Sequence, residues 1–239
     1  MKKLKKLNIF LILLALLVLP TIVNAQTFYP EGTDLNVWID DTKWYVFTRD
    51  NLYNNPELDD LGITYDYLYN FMLDNYVYLD AALFYDDNTD SLELFIRKKN
   101  ITKIKNLSNY SNDEIINLAK EFAELKDVDV YDIYESNYKY VYLESTDSGF
   151  YLIEYYTIVN GESYTISFQK QSPFTSNELY EIETIVDSIY FDVDTTLKEP
   201  SNSSSSFWDA FVEGALTAAL LGGISALINK LKKKMTKQI

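Results

Sequence analysis

The sequence predicts an α+β domain, an antiparallel β-sheet packed with helices as an α/β/α sandwich, flanked by an N-terminal signal peptide and one C-terminal transmembrane helix. Three observations carry this. Strand-like segments follow one another through tight turns, and such connections favour antiparallel pairing because each parallel pair would need a crossover. Ser111 with Glu114 and Thr175 with Glu178 form capping boxes ahead of apolar residues at helical spacing. Lysines border an apolar run at each end of the chain.

The segment over 150–191 organises the domain. Asn160-Gly161 sits between two strand-like runs, and a type I′ turn needs positive φ at both positions, which Asn and Gly tolerate. A two-residue loop fixes the register, pairing Thr157 with Tyr164, Tyr155 with Ile166 and Ile153 with Phe168 on one face, the expected core face. Ser163, Thr165, Ser167 and Gln169 fall on the other with Tyr156 and Leu152, a face expected to be solvated or covered by something less apolar. Past Pro173, Leu179, Ile182, Ile185, Val186 and Ile189 form the inward stripe of a helix.

The rest follows in order. Residues 26–34 read as a leader, and the domain proper is expected over 35–195. Strands are expected over 35–39 and 44–48, split by Asp40-Asp41. Thr64 caps a segment whose Tyr65, Leu68, Met72 and Tyr76 share a helical face. A second hairpin places Val77, Leu79, Ala81 and Leu83 on one side, turns through 86–90 and returns with Leu92, Leu94 and Ile96. The helix opened by Ser111 turns Ile115, Leu118, Ala119, Phe122 and Leu125 inward. Strands over 128–134 and 138–144 lead back to the central hairpin.

This tyrosine-rich antiparallel meander, with a strand ending in Asn160-Gly161, the run Tyr164-Thr165-Ile166-Ser167-Phe168 and a closing helix that ends on Ile185-Val186-Asp187-Ser188-Ile189-Tyr190-Phe191, resembles the PsbP-like superfamily. The resemblance covers roughly 35–193, is sharpest over 150–191, and brings no catalytic motif. It implies an α/β/α sandwich and a non-enzymatic envelope or accessory domain.

Residues 1–25 have the three parts of a signal peptide: Lys2, Lys3, Lys5 and Lys6, an apolar run over 9–23, and a small-residue cleavage site ending at Ala25. A Ser-rich linker over 196–206 precedes a transmembrane helix over 207–229. The uncharged centre over 214–229 is only about 24 Å long as a helix, whereas 207–228 reaches about 33 Å, enough for a hydrocarbon core of about 30 Å with Asp209 and Glu213 at the outer interface. The basic tail over 230–239 then belongs in the cytoplasm by the positive-inside rule, which places the domain outside a single-pass protein of the cell membrane.

Composition sets limits. The chain has no Cys and no His, which excludes Cys/His zinc sites, thiol nucleophiles and His-based triads. Between 26 and 200, 12 basic residues face 34 acidic ones, a net −22 that repels nucleic-acid phosphates and serves solubility alone or suits cations or cationic peptides. Asp86, Asn88 and Asp90 have the alternate spacing of a calcium loop, but Ser91 and Arg97 stand where its glycine and bidentate glutamate belong, so a polar turn with at most weak calcium binding is expected. Gly214, Ala218, Gly222 and Ala226 form a small-residue ridge along the span, suited to self-association. Asp80 and Glu154 lie within apolar strands, where strand alternation points them to solvent and burial would raise their pKa. Arg97, Lys98 and Lys99, with Lys103 and Lys105, form a basic cluster expected to neutralise nearby carboxylates.

Together these readings point to a membrane-anchored extracytoplasmic module of the cell envelope, acting by binding rather than catalysis and needing no cofactor beyond possible calcium. Its expected partners are the membrane, a cationic or envelope ligand and a second copy through the span, with no nucleic acid. Two other classes stay open: an envelope hydrolase using paired Asp/Glu, and a sensor or subunit acting through its transmembrane helix.

Overall fold

A computed structural model describes residues 26–85, 90–100, 104–128 and 130–198. The strands are β1 (Gln26–Phe28), β2 (Leu35–Ile39), β3 (Trp44–Thr48), β4 (Val77–Phe84), β5 (Ser91–Asn100), β6 (Val130–Glu135), β7 (Lys139–Asp147), β8 (Phe150–Val159), β9 (Glu162–Lys170) and β10 (Tyr190–Phe191). The helices are α1 (Pro56–Leu61), α2 (Tyr65–Asp74), α3 (Asn112–Lys126) and α4 (Ser176–Asp187). Seven strands form one antiparallel sheet in the order β3-β4-β5-β9-β8-β7-β6, and β1-β2-β10 form a separate three-stranded sheet. The architecture is mixed α+β, with antiparallel sheets packed against helices.

The central hairpin has the expected register, with Thr157 opposite Tyr164, Tyr155 opposite Ile166 and Ile153 opposite Phe168. Asn160 and Gly161 take φ of 54° and 80°, the left-handed pair a type I′ turn demands. Both capping boxes close: Ser111 and Thr175 accept from the amides of Glu114 and Glu178, whose carboxylates reach back to the cap amides.

Alternation along the strands gives the large sheet two faces. On the first, Ile153, Tyr155, Ile166 and Phe168 pack with the small sheet and with Ile182, Ile185 and Val186 of α4. On the second, α1 and α2 cover Phe47, Ala82 and Phe95 at the β3 side, while α3 covers Val141, Leu143 and Tyr156 at the β6 side.

Several expectations are corrected. The leader expected over 26–34 folds onto the domain: β1 pairs antiparallel with β2, and Phe28 is buried. Val77 does not share a face with Leu79, because the register shifts between them and a bulge turns Val77 to the α2 side. Leu125 and Leu179 are exposed, at 69% and 38%, and Ala123 is buried in α3 instead. Tyr65 and Tyr76 lie at the outer ends of the α2 stripe, where only Leu68 and Met72 are fully buried. The second face, expected to be either solvated or covered, is covered: Thr165, Ser167 and Gln169 are 1%, 3% and 2% exposed.

Among the described residues no helix is long and apolar enough to cross a membrane. The signal peptide over 1–25, most of the linker, the transmembrane helix over 207–229 with Gly214, Ala218, Gly222 and Ala226, and the basic tail lie outside the described residues.

Candidate functional site

Between α2 and α3, the second face carries a band of polar side chains on β5, β9 and β8, because residues of alternating parity on three adjacent strands meet there. Arg97 stands opposite Thr165, and Glu154 opposite Ser167. Arg97 and Glu154 are therefore two strands apart yet diagonal neighbours across β9, and Arg97 Nη2 lies 3.4 Å from both Glu154 Oε1 and Ser167 Oγ. The second carboxylate oxygen of Glu154 accepts from Lys126 Nζ at 2.8 Å, and Lys126 also donates to the Tyr156 hydroxyl. Beside this group, Gln169 Nε2 donates to Glu93 at 3.1 Å.

The electrostatics follow from burial. Arg97 and Glu154 are 3% and 1% exposed, and a charge so far from water must be paired or lose its proton balance. Burial lowers the pKa of Lys126, and Glu154 opposes that shift by favouring the ammonium. Burial likewise lowers Arg97, again opposed by Glu154. The Tyr156 hydroxyl is pushed well above its usual value by burial and then by the charge of Glu154. The result is one carboxylate clamped between two cations, an arrangement that fixes geometry rather than offering a free proton acceptor.

Lys126 and Glu154 form the floor of a cavity of about 700 Å³ at the end of the sheet where the β7–β8 turn lies. Its walls are mixed: Leu125 and Val128 come from the end of α3, Val130 opens β6 and Leu152 comes from β8, beside Ser145 and Thr146 of β7. Its rim is acidic, with Asp127, Glu144 and Asp147. Asp127 holds the left-handed position that ends α3, with φ of 55°, and lines the opening. Four carboxylates, Asp127, Glu144, Asp147 and Glu154, against the one ammonium of Lys126 make the lining electronegative.

A second cavity, of about 610 Å³, opens at the same sheet end toward α4. Lys170 Nζ lies 2.6 Å from Glu178 Oε1 and 3.4 Å from Asp90 Oδ2, and the Tyr85 hydroxyl donates to Glu178. Burial alone would raise the Glu178 carboxyl, but Lys170, the Thr175 amide and the Tyr85 hydroxyl bring it down to about 2. Since Glu178 is also the reciprocal partner of the α4 capping box, this cluster anchors the helix start to the end of β9.

The residues singled out from sequence fare differently. Asp80 and Glu154 are 0% and 1% exposed, so the expectation that alternation turns them to solvent is corrected: the outer side of the sheet is covered. The basic cluster does meet carboxylates, Arg97 at Glu154 and Lys98 at Glu162, the latter at 2.7 Å. Asp86 and Asn88 lie outside the described residues, while Asp90 accepts from the amides of Ser91 and Gln171 and from the Ser172 hydroxyl. Lys126 was missed although its signal was present. It continues the inward stripe of Ile115, Ala119 and Phe122 at i+4, a lysine where a leucine would be ordinary.

No protein-family model matches the chain, and no curated protein matches it significantly. Among solved structures, the chain is similar to the cyanobacterial PsbP (CyanoP) of Synechocystis sp. PCC 6803, at 10% identity and a TM-score of 0.39, over 72% of this chain and 95% of that one.

Proposed function

We propose that the protein is a non-catalytic binding module of the cell envelope, held outside the membrane by the C-terminal span and belonging to the PsbP-like superfamily as an α/β/α sandwich. The signal-peptide and anchor patterns of the sequence support the location, and the tyrosine-rich meander closing on Ile189-Tyr190-Phe191 supports the family. The observation that carries the binding reading is the cavity at the α3 terminus. Its floor carboxylate, Glu154, has each oxygen engaged by a different cation, while the surfaces left open are mixed walls that include Leu125 and Val130 and an acidic rim. Such a floor positions a ligand; it does not shuttle protons.

The test places a photo-crosslinking amino acid at Leu125 in intact cells, with Tyr180, 73% exposed on α4, as the control position. A discrete adduct from Leu125 and none from Tyr180 is expected. Equal adducts from both positions, or none from either, overturn the reading. Carbonate washing of the same membranes checks the anchor, since an integral protein stays in the pellet.

A further inference from the structure

We infer that the α3-terminal cavity and the free edge of β6 together seat an extended, cationic and amphipathic segment of a partner polypeptide, added to the large sheet as one more strand. The inference rests on the binding-module reading and names the class of ligand. β6 ends the seven-strand order and pairs only with β7 among the described residues. Ser136 N donates to Tyr138 O at 3.0 Å in the same register as the β6–β7 ladder, so the amides of 130, 132 and 134 face β7 and those of Tyr131, Ile133 and Glu135 face outward. Ile133 N accordingly donates to the side chain of its own neighbour, Asp132 Oδ1, at 2.8 Å rather than to the ladder. Outward amides and carbonyls over six residues present a template about 20 Å long.

The cavity continues that edge, because Val128 and Val130 line it and Val130 is the first residue of β6. Leu125 and Val130 are 69% and 47% exposed, large apolar side chains left in water beside the strand. Charge selects the occupant. The edge carries exposed Asp132 and Glu135, and the cavity rim carries Asp127, Glu144 and Asp147. Two copies of such an edge repel one another, as protective charges on edge strands do, whereas a strand alternating basic and apolar residues would meet carboxylates and the Leu125–Val130 surface together.

The test uses the full-length protein in mild detergent and a fluorescein-labelled peptide of about ten residues alternating lysine and valine. Binding is expected at low salt, weakening with ionic strength, with no binding of the glutamate–valine counterpart. Glu144→Gln with Asp147→Asn should weaken it about tenfold. N-methylating the peptide at one set of alternate amides should abolish binding, and at the other set should leave it, because only one set faces β6. Indifference to both methylation patterns, or equal affinity in the charge-neutral variant, overturns the inference. So does self-association of the protein, seen by sedimentation, that excludes the peptide. An adduct at Leu125 without peptide binding overturns this inference while leaving the binding module standing; loss of both removes both.

Discussion

The two faces of the β8–β9 hairpin differ in everything except burial. On one, Ile153, Tyr155, Ile166 and Phe168 sit against α4 and the small sheet, 2% exposed or less. One residue along each strand, Glu154, Tyr156, Thr165 and Ser167 are 3% exposed or less and carry charges and hydroxyls. The first face is held by apolar area removed from water. The second is held by the requirement that each buried polar group find its partner, so it tolerates loss of a partner less well than loss of the whole group. Alternation therefore decides which side chains share a face, while what other elements bring to that face decides whether it is dry.

The comparison breaks most readily at Phe168. Phe168→Ala should cost about 4 kcal/mol, since a fully buried ring leaves both lost transfer energy and a cavity. Urea denaturation of the variant checks this, and a cost below about 1 kcal/mol would mean that the apolar face is loosely packed. On the polar face, Glu154→Gln should cost about 3 kcal/mol because Arg97 and Lys126 would then be buried without their counter-charge. Replacing all three, with Arg97→Met, Lys126→Met and Glu154→Leu together, should recover most of that loss. A neutral Glu154→Gln would show that water reaches the band.

Much of the first face was legible in the sequence, because its determinants are local: the Asn160-Gly161 turn fixed the pairing of six residues, and two capping boxes placed α3 and α4. The second face was not. Arg97 and Glu154 meet only because β5 inserts beside β9, a neighbour 70 residues from Ser167 along the chain, and no periodicity encodes that order. Lys126 was obscured by Leu125, whose hydrophobicity marked it as inward; the helix turns the lysine in and leaves the leucine at the cavity mouth. The bulge between Val77 and Leu79 hid in an unbroken strand pattern, and β1 was too short to show any pattern.

A charge also stands at the border of the apolar face, and pH sharpens its contribution. Glu178 titrates near 2 in the folded protein against 4.5 for an ordinary glutamate, a depressed value. Its stabilisation is therefore complete above about pH 4.5 and lost as pH falls toward 2, because the unfolded chain takes up the proton first. The amount is about 3 kcal/mol. Urea midpoints measured between pH 6 and 2 should fall more steeply for the wild type than for Glu178→Gln, whose cap keeps its shape without the charge. Parallel curves would assign the acid sensitivity to other carboxylates.

The smallest effect is expected at the turn, and it separates the faces. The Asn160 amide donates to Asp34 Oδ2 and to the Asp192 carbonyl, each at 2.7 Å, while its oxygen accepts from the Asp194 amide at 2.8 Å. The turn that sets the hairpin thus also clasps the segments around β2 and β10, which lie on the apolar face. Asn160→Gly keeps the left-handed backbone and removes all three bonds, costing about 1 kcal/mol because the site is exposed. Hydrogen exchange should quicken in β2 and β10 and stay unchanged around Arg97 and Glu154. Asn160→Asp should cost more than Asn160→Gly at neutral pH, since it sets a second carboxylate against Asp34. Exchange that quickens equally on both faces would mean that the hairpin, not the clasp, had loosened.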